Sequence, residues 1–309
     1  YLNPVGYLPF YLMVSAGWHS VAASMALAAL HGASLGLLYL LAWRLFAHLE
    51  GRNRVAFALL ATALGAATSV YWATVGSSFL DPLLAPLALA GLLALLDGGP
   101  HATHRALLAG ALFGSAAALK YSNAIFVLAA AALALAMPGS TGGARWRALL
   151  GYGAGAALAL GILAGPWLWL MAREFGNPVF PLLNAWFLSP HAPPVNMISE
   201  RFGPTDLLSA LAFPLRMLTL DSTVYLENFA PDLRFAALGA GAIALAALMP
   251  WQGALPGGRL RGADWRVLGF VAAGFVLYAL VYGLENTHRV LPPVIPNLCM
   301  AAGVLIYAG

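Results

Sequence analysis

The chain has 309 residues, of which 61% are hydrophobic and only 8% are charged. Soluble domains carry a charge on roughly a quarter of their residues, so this composition excludes an ordinary soluble protein. The formal net charge of +4 would favour a nucleic-acid partner in a soluble domain, but in so apolar a chain membrane topology accounts better for the basic residues. The sequence therefore predicts an integral membrane protein with no nucleic-acid partner.

Long apolar runs make up most of the chain. Residues 1–20 contain Pro4, Pro9 and several aromatic side chains, which is typical of an interfacial segment that leads into a helix. Nine apolar runs follow, although several are shorter than the about 20 residues that a spanning helix needs. These runs are 21–43, 55–75, 79–96, 106–119, 121–137, 148–171, 235–250, 267–284 and 294–308. They are rich in Ala and Leu without two-residue alternation, which predicts an all-α fold: one transmembrane domain over 1–309 with about nine membrane-spanning helices.

The charges divide between two sets of loops. If the first residues lie outside, the loops at 44–54, 97–105, 138–147 and 251–266 face the cytoplasm, and they hold nine of the 15 basic residues but only three of the 11 acids. Short cytoplasmic loops are enriched in Lys and Arg. We therefore expect a multi-pass protein of the cell inner membrane, with most acids on the extracytoplasmic face.

One long stretch on that outer face is too polar to cross a bilayer, the loop at 172–234. It is expected to contain short interfacial helices. Its sequence Gly176-Asn177-Pro178 is typical of a tight turn, and the apolar residues at 179–183 predict a wedge at the membrane surface. Asn177 and Glu174 are our candidates for positioning this loop.

Asp81 precedes Pro82 between two apolar runs, at their outer ends. An acid and a proline are both favoured in the first turn of a helix, so Asp81 is explained as a cap of the helix that follows. The alternative is an acid held rigidly at the outer surface, where it binds a substrate group or a metal.

Lys120 is the only lysine and lies between two strongly apolar runs, directly before Tyr121. A charge at such a depth costs about 2.5–3.5 kcal/mol, and ionisable residues within membranes are candidates for function. The alternative is a lysine that snorkels outward from a tight helical turn. In the predicted topology its ammonium lies near lipid phosphates or an anionic substrate.

A second polar cluster, Glu285 to Arg289, precedes Pro292. His288 beside Arg289 suits phosphate binding, because a guanidinium matches phosphate oxygens in a bidentate manner; an ordinary polar loop is the alternative. His31, on an apolar helix, is expected to be a packing residue. The sequence has no metal-ligand spacing of His or Cys, so no metal site or cofactor is predicted, and a requirement for a divalent ion stays open.

Taken in order, these residues resemble bacterial glycosyltransferases of the GT-C superfamily, relatives of the protein O-mannosyltransferases and the lipid A aminoarabinose transferase. The resemblance spans most of the chain. Its residues are Phe79-Leu80-Asp81-Pro82-Leu83, Leu119-Lys120-Tyr121, Gly176-Asn177-Pro178-Val179-Phe180-Pro181 and His288-Arg289.

The resemblance implies an enzyme that moves a sugar from a polyprenyl-phosphate carrier to an extracytoplasmic lipid, glycan or protein acceptor. It implies Asp81 as a catalytic residue, and a carrier-phosphate site made of Lys120, Tyr121, His288 and Arg289. The usual catalytic acid of the family lies in the first outer loop, whereas no Asp or Glu precedes Glu50 here. We therefore expect the native chain to extend upstream.

Two other functions stay open. A transporter or lipid flippase should carry charges in mid-helix along a pathway that opens to both sides, whereas the polar residues here gather on one face. A non-catalytic scaffold gives no reason for Lys120 beside apolar helices. If the protein is a glycosyltransferase, Asp81, Lys120 and Arg289 should converge in one outward-facing cavity beneath the loop at 172–234.

Overall fold

The computed structural model describes residues 3–47, 49–67, 69–96, 100–135, 142–195, 212–216 and 218–220, with 231, 233 and 236. This part of the chain is helical and contains no strand, as the sequence predicts. The predicted helices at 267–284 and 294–308 lie outside it, as do His288, Arg289 and all but residue 236 of the predicted helix at 235–250.

Eleven α-helices run through the described residues. In chain order they are α1 (Leu8–Ser15), α2 (Ser20–Leu45), α3 (Gly51–Ala66), α4 (Ser69–Thr74), α5 (Leu80–Leu96), α6 (Ala102–Leu119), α7 (Ala124–Leu135), α8 (Gly142–Leu163), α9 (Gly165–Phe175), α10 (Asn184–Phe187) and α11 (Phe213–Arg216). Two short 3₁₀ turns precede α1 and α7, at Pro4–Tyr7 and Tyr121–Asn123.

Two of the described helices, α2 and α8, are long and apolar enough to cross a membrane. They contain 26 and 22 residues, and at 1.5 Å per residue each is longer than the about 30 Å of a bilayer's hydrocarbon core. The predicted run at 55–75 is divided between α3 and α4, and α5 and α7 are shorter, with 17 and 12 residues. The all-helical prediction is thus confirmed, while the nine-helix bundle stays a prediction.

The predicted run at 148–171 is interrupted between α8 and α9. Pro166 lies in the first turn of α9, where its missing N–H group and fixed φ angle are tolerated. In the interior of one continuous helix the same proline would collide with the carbonyl of Ile162, so the chain starts a new helix at Gly165. Gly176 ends α9 in the left-handed conformation, at φ 67°, as glycine does after many helices.

Helix α6 lies at the centre of the bundle, between α5 and α8. Its contact with α8 depends on glycines at four-residue spacing on both helices, the pattern that lets helix backbones approach closely in membranes. A Cβ atom on Gly114 would lie 2.7 Å from the backbone of Ala156, and one on Gly110 or Gly155 would overlap a carbonyl oxygen of the partner helix. The two helices are therefore in backbone contact.

The apolar core fills one end of the bundle. It contains the last residues of α2 and α5, the first half of α6, and most of α7, with Phe113 and Tyr152 among its largest side chains. The Tyr152 hydroxyl donates a hydrogen bond to the carbonyl of Val127 at 2.8 Å, which joins α8 to α7.

The outward faces of the long helices are apolar as well. Met25 on α2 is 69% exposed, and Leu150 and Ile162 on α8 are 70% and 64% exposed. Contiguous apolar surface of this kind is unfavourable in water and is typical of a surface that contacts lipid or another protein.

Candidate functional site

The end of the bundle opposite the core holds a closed ion pair between two of the predicted site residues. The ammonium of Lys120 lies 2.6 Å from both carboxylate oxygens of Asp81. The Asp81 side chain is 2% exposed and the Lys120 side chain 15% exposed. Both charges are thus removed from bulk water, and each stabilises the other.

The helix ends fix the positions of both side chains. Asp81 lies in the first turn of α5, where the unpaired N–H groups of the helix favour negative charge. Lys120 follows the last residue of α6 in an extended conformation, φ −149° and ψ 107°. The chain therefore leaves the helix at Lys120, and its side chain reaches inward to α5. This geometry is not that of a lysine that snorkels toward solvent.

The segment before α1 closes this end of the bundle. Asn3 is 1% exposed, and its side-chain amide donates hydrogen bonds to the carbonyls of Ala118 and Leu163, each at 2.9 Å. These carbonyls lie in the last turns of α6 and α8, where helices have no internal donors. Asn3 thus holds together the ends of the parallel helices α6 and α8. One of its two acceptors, Ala118, lies two residues before Lys120.

The 3₁₀ turn at Pro4–Tyr7 packs against the residues that precede the ion pair. A Cβ atom on Gly6 would lie 3.0 Å from a methyl group of Leu80 and 3.3 Å from the carbonyl of Leu119. Leu80 and Leu119 are the direct neighbours of Asp81 and Lys120. Glycine at this position lets the segment approach the pair.

The turn that follows Lys120 and the nearby residue Trp167 of α9, two positions after its start, contain buried polar atoms. Within the described residues, no hydrogen bond reaches the Tyr121 hydroxyl, the Ser122 hydroxyl, the Asn123 side-chain oxygen or the Trp167 indole nitrogen. Asn123 is 2% exposed. Buried polar groups are nearly always hydrogen-bonded, to protein or to water. Four unpaired groups at this end of the bundle are therefore suited to a polar ligand or ordered water.

Asn177 holds the start of the predicted outer loop. It is fully buried, its amide nitrogen donates to the carbonyl of Leu182 at 2.8 Å, and its side-chain oxygen accepts from the N–H of Val179 at 3.0 Å. Glu174 lies on the exposed face of α9 and pairs with its neighbour Arg173 at 3.3 Å. Asn177 therefore organises the turn directly, whereas Glu174 contributes a surface charge.

The opposite end of the bundle is rich in arginine. Helices α3, α6 and α8 begin there and α2 ends there, so the described charged residues of the first three predicted cytoplasmic loops lie at one end. The described arginines of this end are Arg44, Arg52, Arg54, Arg105, Arg145 and Arg147. Arg54 donates two hydrogen bonds to the carbonyl of Trp43, at 3.0 and 2.7 Å, and lies over its ring.

A second buried polar position lies on α2. His31 is fully buried; its Nδ1 accepts a hydrogen bond from the N–H of Gly76 at 3.2 Å, and its carbonyl accepts one from the Tyr71 hydroxyl. This side chain ties α2 to the turn that precedes α5, which agrees with the packing role predicted for it.

Two of the three residues predicted to converge do so, namely Asp81 and Lys120. His288 and Arg289 lie outside the described residues, so the complete cavity stays a prediction. No group of three His, Cys, Asp or Glu side chains able to hold a metal ion occurs in the described ranges.

Sequence reasoning missed Asn3 and the unpaired atoms of Ser122, Asn123 and Trp167. A Gly-x-x-x-Gly pattern in the sequences of α6 and α8 was available as a signal of their close packing.

No protein-family model, curated protein or solved structure matches the chain.

Proposed function

We propose that this chain is a multi-pass inner-membrane glycosyltransferase that moves a sugar from a polyprenyl-phosphate carrier to an acceptor on the extracytoplasmic face. The nine-helix bundle and the orientation with arginines inside belong to this proposal. The observation that carries it is the buried Asp81–Lys120 pair, the charged centre of the end of the bundle that has few arginines.

The pair supports a phosphate site in a specific way. An ammonium has three N–H donors, and the Lys120 nitrogen lies 2.6 Å from both oxygens of the Asp81 carboxylate. The two oxygens belong to one carboxylate and therefore contact the ammonium from one side. Since Asp81 holds the ammonium in place before substrate arrives, a carrier phosphate that approaches from another side meets a preorganised positive charge.

Such a charge is useful because the leaving polyprenyl phosphate gains negative charge as its bond to the sugar breaks. Preorganised donors aimed at developing charge often make the largest single contribution to catalysis. In this proposal Lys120 stabilises the leaving phosphate and Tyr121 adds a hydroxyl donor, with His288 and Arg289 as further phosphate ligands. Asp81 is 1% exposed, so it acts through Lys120 and is a positioning residue of the catalytic site.

The unpaired groups in the turn after Lys120, together with Trp167 on α9, support a sugar as the transferred unit. The hydroxyls of Tyr121 and Ser122 and the indole of Trp167 donate, while the Asn123 oxygen accepts. A hexose presents both donors and acceptors, together with an apolar ring face that aromatic side chains contact well. This mixed set suits a sugar better than a purely anionic group.

Transfer tests the proposal directly. Membranes that contain the full-length gene product are supplied with labelled polyprenyl-phosphate mannose or polyprenyl-phosphate aminoarabinose, and label in an acceptor is measured. We expect transfer from one of the two donors, and a loss of at least about 100-fold in Lys120→Ala, as for removal of one oxyanion donor. The matched control, Arg147→Ala, removes one cation from the opposite end and should leave transfer unchanged.

Three results would count against the proposal. Full transfer in Lys120→Ala would remove the phosphate site from the pair. Equal losses in Lys120→Ala and Arg147→Ala would indicate a general effect of charge on the fold. Movement of an intact labelled lipid across the bilayer, without transfer, would favour the transporter or flippase.

A further inference from the structure

The outer loop that follows α9 is folded around one buried side chain. The Asn184 amide nitrogen lies within hydrogen-bonding distance of the carbonyls of Ser189, Ala192 and Pro193, at 3.1, 3.0 and 2.9 Å. Its side-chain oxygen accepts from the N–H of Ser189 at 2.9 Å. Asn184 is fully buried. One residue thus closes the loop from 184 to 193.

The loop keeps its shape against a backbone preference. Leu183 and Leu188 flank α10 with φ angles of 53° and 52°. Residues with a side chain rarely adopt positive φ angles, and they persist there where surrounding contacts determine the conformation. The bonds of Asn184 supply those contacts, so the loop is held in one form.

This form presents three large apolar side chains to the outside. Trp186, Phe187 and Leu188, which we call the apolar tip, are 76%, 41% and 64% exposed. The predicted wedge at 179–183 is half-buried, because Phe180 stacks on Phe175 at 4.3 Å. The surface that protrudes is therefore the apolar tip, a few residues further along.

Charge and position indicate lipid as the occupant of this surface. No Asp, Glu, Lys or Arg occurs between Glu174 and Glu200, so the loop has no charges with which to select a charged protein partner. Tryptophan is enriched at membrane interfaces, where its ring lies among headgroups. The stack on Phe175 also joins the loop to α9. In the chain α9 follows α8 directly, and the outward face of α8 is apolar.

We propose that the apolar tip inserts into the outer interface of the membrane and anchors the loop beside the end of the bundle that holds Asp81 and Lys120. The proposal rests on the membrane placement in the proposed function but not on glycosyl transfer. The start of α9 lies near that charged end, because α9 follows α8 directly and Asn3 joins the last turns of α6 and α8. The 11 residues of α9 connect this end to the loop. The anchored loop would fix the level at which a lipid-borne substrate meets the site.

Nitroxide accessibility tests the insertion. The native cysteine is replaced in Cys299→Ala, single cysteines are introduced by Trp186→Cys or Leu188→Cys, and the full-length protein is spin-labelled in phosphatidylcholine–phosphatidylglycerol vesicles. Accessibility to oxygen, which concentrates in lipid, is compared with accessibility to a water-soluble nickel chelate. We expect the oxygen-to-nickel ratio at 186 and 188 to exceed that at Glu174→Cys several-fold. Glu174 is an exposed, charged position just before the same loop.

The possible outcomes separate the two proposals. A label on Met25→Cys, at a 69% exposed position on α2, reports whether the bundle is in lipid. If position 25 is in lipid while 186 and 188 match 174, the insertion is overturned and the membrane placement stands. If position 25 is also aqueous, the membrane placement itself fails. Spin–spin broadening at 186 would overturn the insertion in favour of a contact with a second copy.

Discussion

Both carboxylate oxygens of Asp81 accept hydrogen bonds from the ammonium of Lys120, although 39 positions separate the two residues in the chain. The contact joins the first turn of α5 to the residue that follows α6, so one ion pair closes the end of a helical hairpin. Neither charge is stable alone at this depth, since an unpaired buried ion keeps a large desolvation penalty.

Removal of one partner should therefore destabilise the protein more than removal of both. We expect Lys120→Ala to lower the free energy of unfolding by about 3–5 kcal/mol, because it leaves the Asp81 carboxylate buried and unpaired. The double variant Asp81→Leu with Lys120→Met should stay close to the parent in stability, since an apolar pair of similar volume is often neutral. Thermal unfolding in detergent micelles measures both.

The same pair of variants separates stability from transfer. The double variant should be folded yet lack transfer, because the ammonium is absent. If the double variant is as unstable as Lys120→Ala, then the site depends on charge for its fold, and the loss of transfer in either variant carries no information about catalysis.

The close contact of α6 and α8 predicts a position-specific effect of single methyl groups. Gly155→Ala should destabilise the bundle by about 1–3 kcal/mol, the range for overpacked cores, because its Cβ atom would overlap the carbonyl of Leu107. Gly153→Ala, on the same helix with open space around it, should be neutral or stabilise by up to about 1 kcal/mol through helix propensity. Thermal unfolding in micelles compares the two, and equal effects would contradict the backbone contact.

Asn3 provides a test of whether the segment before α1 supports the site. Asn3→Leu leaves the carbonyls of Ala118 and Leu163 without their donor, which should cost about 1–3 kcal/mol and reduce transfer through displacement of Lys120. Ser15→Ala, at the end of the following helix α1, is the control. Its hydroxyl donates only to a local carbonyl at an exposed position, so its effect should stay within about 0.5 kcal/mol. If Asn3→Leu lowers stability but leaves transfer unchanged, the segment before α1 has no influence on the site.

The two buried asparagines of the loop after α9 should differ in importance. Asn184→Asp removes the donor shared by three carbonyls, whereas Asn177→Asp removes the donor to one. We expect limited proteolysis of the folded protein to cut between 182 and 195 fastest in Asn184→Asp, more slowly in Asn177→Asp and slowest in the parent. Electrophoresis of timed digests measures the order, and equal rates would show that Asn184 does not hold the loop.

The sequence was sufficient for features that depend on local chemistry. Apolar runs predicted helices, and the isolation of Asp81 and Lys120 in apolar surroundings singled them out. Their pairing was predicted only as convergence in a cavity, because periodicity says nothing about which helix ends meet. The interruption at Gly165 was not predicted, since the residues at 148–171 form one apolar run in the sequence.

Features that depend on distant contacts were not predictable in the same way. Asn3 has no local signal, since its partners lie 115 and 160 positions later. The loop wedge was placed at 179–183 because those residues are apolar, but the stack of Phe180 on Phe175 half-buries that stretch and leaves the apolar tip exposed. This contact spans only five positions, but which residues of an apolar loop it buries does not follow from their apolar character alone.

The hydrogen bonds of Asn3 to α6 and α8 also have a consequence for biogenesis. The Asn3 amide binds a carbonyl that is synthesised 160 residues later, and at 5–20 residues per second this delay is roughly 10–30 s. The carbonyl of Ala118, its other partner, is synthesised earlier, 115 residues after Asn3, so the bond to Leu163 is the last of the two to form. Closure of this end of the protein is therefore a late step of its assembly, after α8 has left the ribosome.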